Sequence, residues 1–184
     1  MNGVVFLDRD GTLIEDVPYL GDPNQVTFIS RAIDALRLLK AANYKLVLVT
    51  NQSGIGRGLI TEAQYQSVSG RVTKELADND IEIHTYWCPH HPTAGLGKYL
   101  KTCSCRKPGT GMLEQACQEL GLSKKNTHMV GDKASDIGAG ERFGAKTALV
   151  RTGDGLKTLA AADGLNSDYV GDDLYDVVVN SILI

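Results

Sequence analysis

The run Val4-Val5-Phe6-Leu7-Asp8-Arg9-Asp10-Gly11-Thr12 constrains this chain more than any other segment. Its apolar residues, β-branched and aromatic among them, have the length of a buried strand. Two carboxylates, Asp8 and Asp10, then stand at the C-terminal tip, where open α/β sheets place their ligands. Gly11 lets the chain turn sharply away from that tip. An acid pair so placed can divide a phosphoryl transfer between a nucleophile and an acid/base, around a Mg²⁺ ion. The plainer alternative is a strand followed by a polar turn, since Asp and Gly are common turn residues.

The rest of the chain alternates between strand and helix patterns. Residues 17–29 read as an irregular flap containing Pro18, Gly21 and Pro23. Ser30 is positioned to cap a helix that keeps Ile33, Leu36 and Leu39 on one face. Tyr44 to Thr50 is a second strand. Thr61 and Gln64 have capping-box spacing at the start of a helix carrying Tyr65, Val68, Val72 and Leu76. Ile81 to Trp87 is a third strand, and residues 88–108 form a loop rich in Cys and His. Met112 to Leu120 is a helical face ended by Gly121. His128 to Gly131 is a fourth strand, a helix covers about 134–143 with Gly144 as its stop, and Lys146 to Val150 is a fifth strand. Ser167 to Val170 fits a sixth. The tail 172–183 suits either a strand, through Val177-Val178-Val179, or a helix, through Leu174, Val178 and Ile182. Such alternation predicts a three-layer α/β fold, a doubly wound parallel sheet with helices on both faces. With neither repeat nor linker, residues 1–184 read as one domain.

The composition narrows the function. A net charge of −3 argues against a non-specific nucleic-acid surface. No apolar run approaches the ~20 residues of a membrane span, and the N-terminus enters the first strand without a signal-like segment. The expectation is a cytoplasmic monomer in which thiols stay reduced, so that clustered cysteines point to a metal.

Four segments carry the chemistry: Asp8-Arg9-Asp10-Gly11-Thr12, Thr50-Asn51, Lys107, and Gly131-Asp132-Lys133-Ala134-Ser135-Asp136. In order and spacing they resemble the four motifs of the haloacid-dehalogenase (HAD) superfamily, over nearly the whole chain. The resemblance implies that Asp8 attacks phosphorus to form an aspartyl-phosphate. It implies that Asp10 protonates the leaving oxygen and then activates water. Mg²⁺ would be held by the carboxylates of Asp8 and Asp132 and the backbone carbonyl of Asp10, an all-oxygen set suited to a hard cation. The Thr50 hydroxyl and the Lys107 ammonium would bind the phosphoryl group. An acid at position 10 favours a phosphatase or phosphomutase over the family's transport ATPases and dehalogenases. The segments between motifs are too short for a separate cap domain, so an open, capless site is expected.

Cys88-Pro89-His90 and Cys103-Ser104-Cys105 are separated by twelve residues. Three thiolates and one imidazole form a structural Zn²⁺ set, Cys88, His90, Cys103 and Cys105, that leaves no open position for substrate. His91 is the alternative fourth ligand, and a disulfide with spare thiols is the alternative to a metal. Cys117 lies on an apolar helical face and reads as core, and His84 and His128 read as structural. The Cys/His loop runs into Arg106 and Lys107, so a metal there would position these cations.

The loop Thr50-Asn51-Gln52-Ser53-Gly54-Ile55-Gly56-Arg57-Gly58 and the run from Cys88 to Pro108 look like the D-glycero-D-manno-heptose 1,7-bisphosphate phosphatases. These are bacterial enzymes that make nucleotide-activated heptose for surface polysaccharide such as lipopolysaccharide. Histidinol-phosphate phosphatases share the Cys/His loop but usually carry Asp where this chain has Ser53. Loss of that anion suits a sugar hydroxyl rather than an amine. The resemblance puts Arg106 and Lys107 on the phosphate. It implies substrate contacts at Asp16, Val17, Pro18, Tyr19, Asn51, Gln52, Ser53 and Lys133, although Val17-Pro18-Tyr19 departs from the family's usual Gly-Tyr pair. Arg57 is a candidate for a second phosphate. The expected partner is a small sugar bisphosphate; the alternatives are histidinol phosphate or a catalytically inactive binding module.

Overall fold

A computed structural model describes residues 1–161 and 165–184. Among them, six strands form one sheet: β1 (Gly3–Leu7), β2 (Tyr44–Asn51), β3 (His84–Cys88), β4 (Thr127–Gly131), β5 (Lys146–Val150) and β6 (Tyr169–Gly171), in the order β3-β2-β1-β4-β5-β6. Every neighbouring pair is parallel. β1 lies between β2 and β4, with Val4–Leu7 opposite both Lys45–Leu48 and Thr127–Val130. The strand order reverses there, and that reversal opens a crevice at the C-terminal strand ends.

The period-2 alternation of β1 splits its apolar side chains between two cores. Val5 and Leu7 face α1 (Ala32–Ala41) and α3 (Glu62–Asp78), through Leu36, Leu39, Val68 and Leu76. Val4 and Phe6 face α4 (Gly111–Glu119) and α5 (Ala134–Phe143), through Met112, Leu113, Ala139 and Phe143. Helices therefore cover both faces, as the alternation predicts. Cys117 is buried in the second core, and His128, inside β4, is held neutral by burial, with a pKa near 4.

Local signals place several boundaries. Thr61 and Gln64 form both halves of the capping box that starts α3. Gly144, in left-handed backbone at φ 84°, ends α5. Other boundaries differ from expectation. Ser30 does not cap α1; the helix follows Arg31, at φ 59°, with no side-chain cap. Arg31 is held instead by tertiary contacts, an ion pair to Asp173 at 2.7 Å and the ring of Tyr175 at 4.5 Å. The third strand starts at His84 rather than Ile81, because pairing with β2 starts there. The tail is helical: Asp173 caps α7 (Leu174–Val177), which runs on through residues 178–182. Leu174, Val178 and Ile182 join the first core, while Val179, needed inside by a strand, is 37% exposed. Two helices lack a clear sequence signal, α2 (Ser53–Gly56) and α6 (Gly155–Ala161).

The flap begins with the Gly11 N–H donating to Ile14 O at 2.7 Å, and Ile14 then bridges Phe28. It thus folds back over the crevice at β1. Among the described residues no additional sheet is inserted between the motif segments, and none of the helices is long and apolar enough to cross a membrane.

Candidate active site

The crevice holds a cavity of about 420 Å³ lined by residues from all four motif segments. Asp8, Asp10, Asp16, Val17, Pro18, Tyr19, Asn51, Gln52, Ser53, Arg106, Lys107 and Lys133 all face it. Thr50 and Asp132 lie just behind its wall, at 1% and 0% exposure.

Lys107 organises the floor. Its side chain is 1% exposed, and its Nζ lies 2.7 Å from Asp8 Oδ1 and 2.6 Å from Asp136 Oδ1. It also donates to Val49 O at 2.6 Å. Burial works against its charge, but Asp136 and Asp8 outweigh burial and raise its pKa. Asn51 fixes the lysine's backbone, donating from Nδ2 to Lys107 O at 3.1 Å and accepting the Lys107 N–H at 3.0 Å. The side chain of Asn51 is thereby committed to holding Lys107.

Asp10 points to the other side. Arg9 Nε donates to its Oδ1 at 3.1 Å, and Arg9 Nη2 and Gln52 Nε2 donate to its Oδ2 at 3.0 and 2.8 Å. Burial raises the Asp10 pKa, Arg9 opposes the rise and Asp8 adds to it. Gln52 Nε2 also donates to Thr50 Oγ1 at 2.8 Å.

Asp132 directly follows β4 and is held from behind by residues 152–158, a loop and the start of α6 that the sequence motifs do not reveal. The Asp154 N–H donates to its Oδ2 at 2.8 Å, and Thr158 Oγ1 donates to its carbonyl at 2.8 Å. Thr152 Oγ1 donates to Gly11 O at 2.6 Å, tying this loop to the β1 turn. Gly153, at φ +57°, packs so closely that a Cβ there would collide with Asp132 Oδ2 and the Cα of Gly11. Burial, then the charge of Asp8, pushes the Asp132 pKa up to about 7. Burial, opposed by Lys107, brings Asp136 to about 6.

Carboxylate oxygens of Asp8, Asp132 and Asp136 lie within 4.8 Å of one another, and Asp132 Oδ1 has no hydrogen-bond partner among the described residues. A buried carboxylate oxygen without a partner is costly, and an all-oxygen set fits a hard divalent cation such as Mg²⁺. Asp136 is the site residue that the motif reading passes over. Its signal is its position in Asp132-Lys133-Ala134-Ser135-Asp136, where the first turn of α5 aims it back at the strand tip. Lys133 Nζ reaches Asp16 of the flap at 2.9 Å, with Asp132 at 3.5 Å and Asp154 at 3.8 Å.

The Cys/His cluster is assembled beside this site. His90 Nδ1 lies 3.2, 3.4 and 3.6 Å from Cys103, Cys105 and Cys88 Sγ, and the sulfurs are 3.0 to 3.5 Å apart. All four cysteines are free in this structure, and three of the sulfurs converge on one imidazole nitrogen, an arrangement compatible with a Zn²⁺ site. His91 is turned away, its Nδ1 accepting the Ala94 N–H at 2.9 Å. Arg106 Nη1 donates to His90 O at 3.3 Å, a direct link from the cluster to the cavity. Arg57 is paired with Tyr19 OH at 2.9 Å and does not line the cavity.

An acid-bearing strand tip at the reversal of a parallel sheet, with a buried lysine opposite, is the arrangement of HAD-like hydrolases. In keeping with that class, a family model described as HAD-hyrolase-like matches residues 104–177. The chain is 45% identical to the D-glycero-beta-D-manno-heptose-1,7-bisphosphate 7-phosphatase of Haemophilus influenzae, over 96% of this chain and 95% of that protein. It is 43% identical to the enzyme of the same name from Yersinia pestis, over 94% and 92%. The crystal structure of D,D-heptose 1,7-bisphosphate phosphatase from B. bronchiseptica, complexed with magnesium and phosphate, superimposes with a TM-score of 0.84 at 30% identity, covering 96% of both chains. The chain belongs to the D-glycero-D-manno-heptose 1,7-bisphosphate phosphatase family.

Proposed function

We propose that this chain hydrolyses the 7-phosphate of D-glycero-β-D-manno-heptose 1,7-bisphosphate through an aspartyl-phosphate, with histidinol phosphate a poorer substrate. The observation that carries the reading is the opposed orientation of the two strand-tip acids. Asp8 faces Lys107 and the metal-type cluster, while Asp10 faces Arg9 and Gln52. Such a split separates a charged nucleophile from a proton donor.

Asp8 attacks phosphorus in line with the leaving oxygen. Asp10 gives that oxygen a proton and then takes one from the water that hydrolyses the acyl phosphate. Lys107, Thr50 and Arg106 bind the transferring group. The carboxylates of Asp8 and Asp132, with the Asp10 backbone carbonyl, would hold Mg²⁺. When bound, that ion supplies positive charge against the phosphoryl oxygens. Five carboxylates, Asp8, Asp10, Asp16, Asp132 and Asp136, face four cations, Arg9, Arg106, Lys107 and Lys133, so a divalent cation turns a net negative site into one that accepts a phosphate dianion.

Asp16, Val17, Pro18, Tyr19 and Ser53 contact the sugar, and Lys133 closes the flap over it through Asp16. Asn51 and Gln52 act through the lysine and acid they hold. Zn²⁺ in the Cys88, His90, Cys103 and Cys105 set has a structural role, holding His90 O where it orients Arg106. We read residues 1–184 as one capless domain, a monomer working in the bacterial cytoplasm on nucleotide-activated heptose synthesis. Support for the sugar over the amine comes from the family relationship and from Ser53, which offers a hydroxyl where an amine would need an anion.

The test is phosphate release from both anomers of the heptose bisphosphate, fructose 1,6-bisphosphate and histidinol phosphate. The β anomer is expected to exceed histidinol phosphate in kcat/KM by at least about tenfold, the factor of one good polar contact. A preference for histidinol phosphate would overturn the assignment.

A further inference from the structure

Three residues around Asp10, none of which touches the reacting atoms in the scheme above, are among the most buried polar groups of the site. Arg9 is 2% exposed, Gln52 7% and Tyr65 1%. The guanidinium of Arg9 lies 5.5 Å from the ring centroid of Tyr65, which anchors it to α3. From there Arg9 grips the Asp10 carboxyl in a planar fork, Nε to Oδ1 and Nη2 to Oδ2. Gln52 approaches from β2. Its single amide nitrogen donates to both Asp10 Oδ2 and Thr50 Oγ1, each at 2.8 Å. Both amide hydrogens are then committed within the site, and Gln52 has no donor left for substrate.

We propose that Arg9 and Gln52 are positioning residues that clamp the Asp10 carboxyl in the orientation its proton transfer needs. A carboxylate has about four acceptor positions, two on each oxygen. Oδ2 uses both of its positions, on Arg9 Nη2 and Gln52 Nε2. Oδ1 accepts from Arg9 Nε, and Arg9 Nη2 lies 3.0 Å from Oδ1 as well, so the guanidinium spans both oxygens. The planar fork prevents the rotation that would exchange the two oxygens. Gln52 sets the depth of the acid relative to Thr50 on the neighbouring strand. As the ester P–O bond breaks, its electron pair stays on the leaving oxygen, which takes the proton from the Asp10 carboxyl. The carboxylate that remains is stabilised by the same three N–H donors. Proton transfer in the transition state requires this alignment, whereas substrate binding does not.

The clamp rests on the reading of Asp10 as the proton donor, and the experiment separates the two. Gln52→Met, Arg9→Lys and Asp10→Asn are compared on an alkyl ester, the heptose 1,7-bisphosphate, and on p-nitrophenyl phosphate, whose phenolate departs without a proton. Gln52→Met and Arg9→Lys should lower kcat on the alkyl ester at least about tenfold more than on the aryl ester, with KM little changed. Arg9→Lys keeps the charge and removes only the fork, so it carries the test if Gln52→Met fails to fold. Equal losses on both esters, or a rise in KM alone, would overturn the clamp while Asp10→Asn still discriminates between them. If Asp10→Asn shows no leaving-group dependence, the assignment of Asp10 itself fails, and the clamp with it.

Discussion

Replacing Lys107 by Met keeps the length of a buried side chain and removes its charge. In the wild type, Nζ lies 2.7 Å from Asp8 and 2.6 Å from Asp136, whose side chains are 7% and 1% exposed. Breaking a buried pair by removing one partner costs about 3–5 kcal/mol, because the remaining charge is left without compensation. For a chain of this size that is a fall in Tm of about 6–20 °C. The variant can relieve the penalty only by taking up a proton on the stranded carboxylates. The wild-type protein already holds Asp136 near 6, above the ordinary carboxylate value of 3.8, and loss of Lys107 moves it further up. The folded variant then binds one more proton than the folded wild type. The destabilisation must therefore shrink as pH falls, by about 1.4 kcal/mol per pH unit while that proton is being bound. Thermal denaturation without added Mg²⁺ at pH 7.5 and 5.5 reads this directly. A loss of about 3–5 kcal/mol at the higher pH should fall to roughly 1–2 at the lower. A loss that is small at pH 7.5, or the same at both, would show that the lysine does not compensate these acids.

Asp8→Asn should fold as well as the wild type yet lose turnover, and acid quenching during turnover should recover phosphate on Asp8 of the active protein; wild-type rates in the variant would end the covalent scheme. Gly153→Ala forces a Cβ against Asp132 Oδ2 in a left-handed backbone, so Mn²⁺ binding followed by spin resonance should weaken at least about tenfold. Unchanged affinity would mean that the 152–154 loop does not set the Asp132 carboxylate. Metal analysis should find about one Zn per chain, and Cys103→Ser should lower it and open the 88–108 loop to protease. Zinc loss with unchanged protease resistance and activity would remove its organising role.

The strands β1, β2, β4 and β5 are legible as short apolar runs because period and local composition are properties of neighbouring residues. The same holds for the Thr61 capping box and the Gly144 stop, whose chemistry spans three or four residues. The cysteine spacing and the Asp8/Asp10 pair likewise announce themselves, since those residue types are rarely so placed without chemistry. What the sequence alone could not determine is which side chains meet across the fold. Asp136 becomes a site residue only because Lys107 is brought between it and Asp8, ninety-nine positions from the latter. Asn51 and Gln52 read as substrate contacts in sequence, but in the fold their amide nitrogens donate to Lys107 O and to Asp10 Oδ2. Ser30 is a sound cap by local rules and loses to Arg31, which is pinned by Asp173 from the far end of the chain. For Lys107, Asn51 and Gln52 a buried charge or amide had to find a partner, and for Arg31 a surface one did; only the packing of the fold decided which partner was within reach.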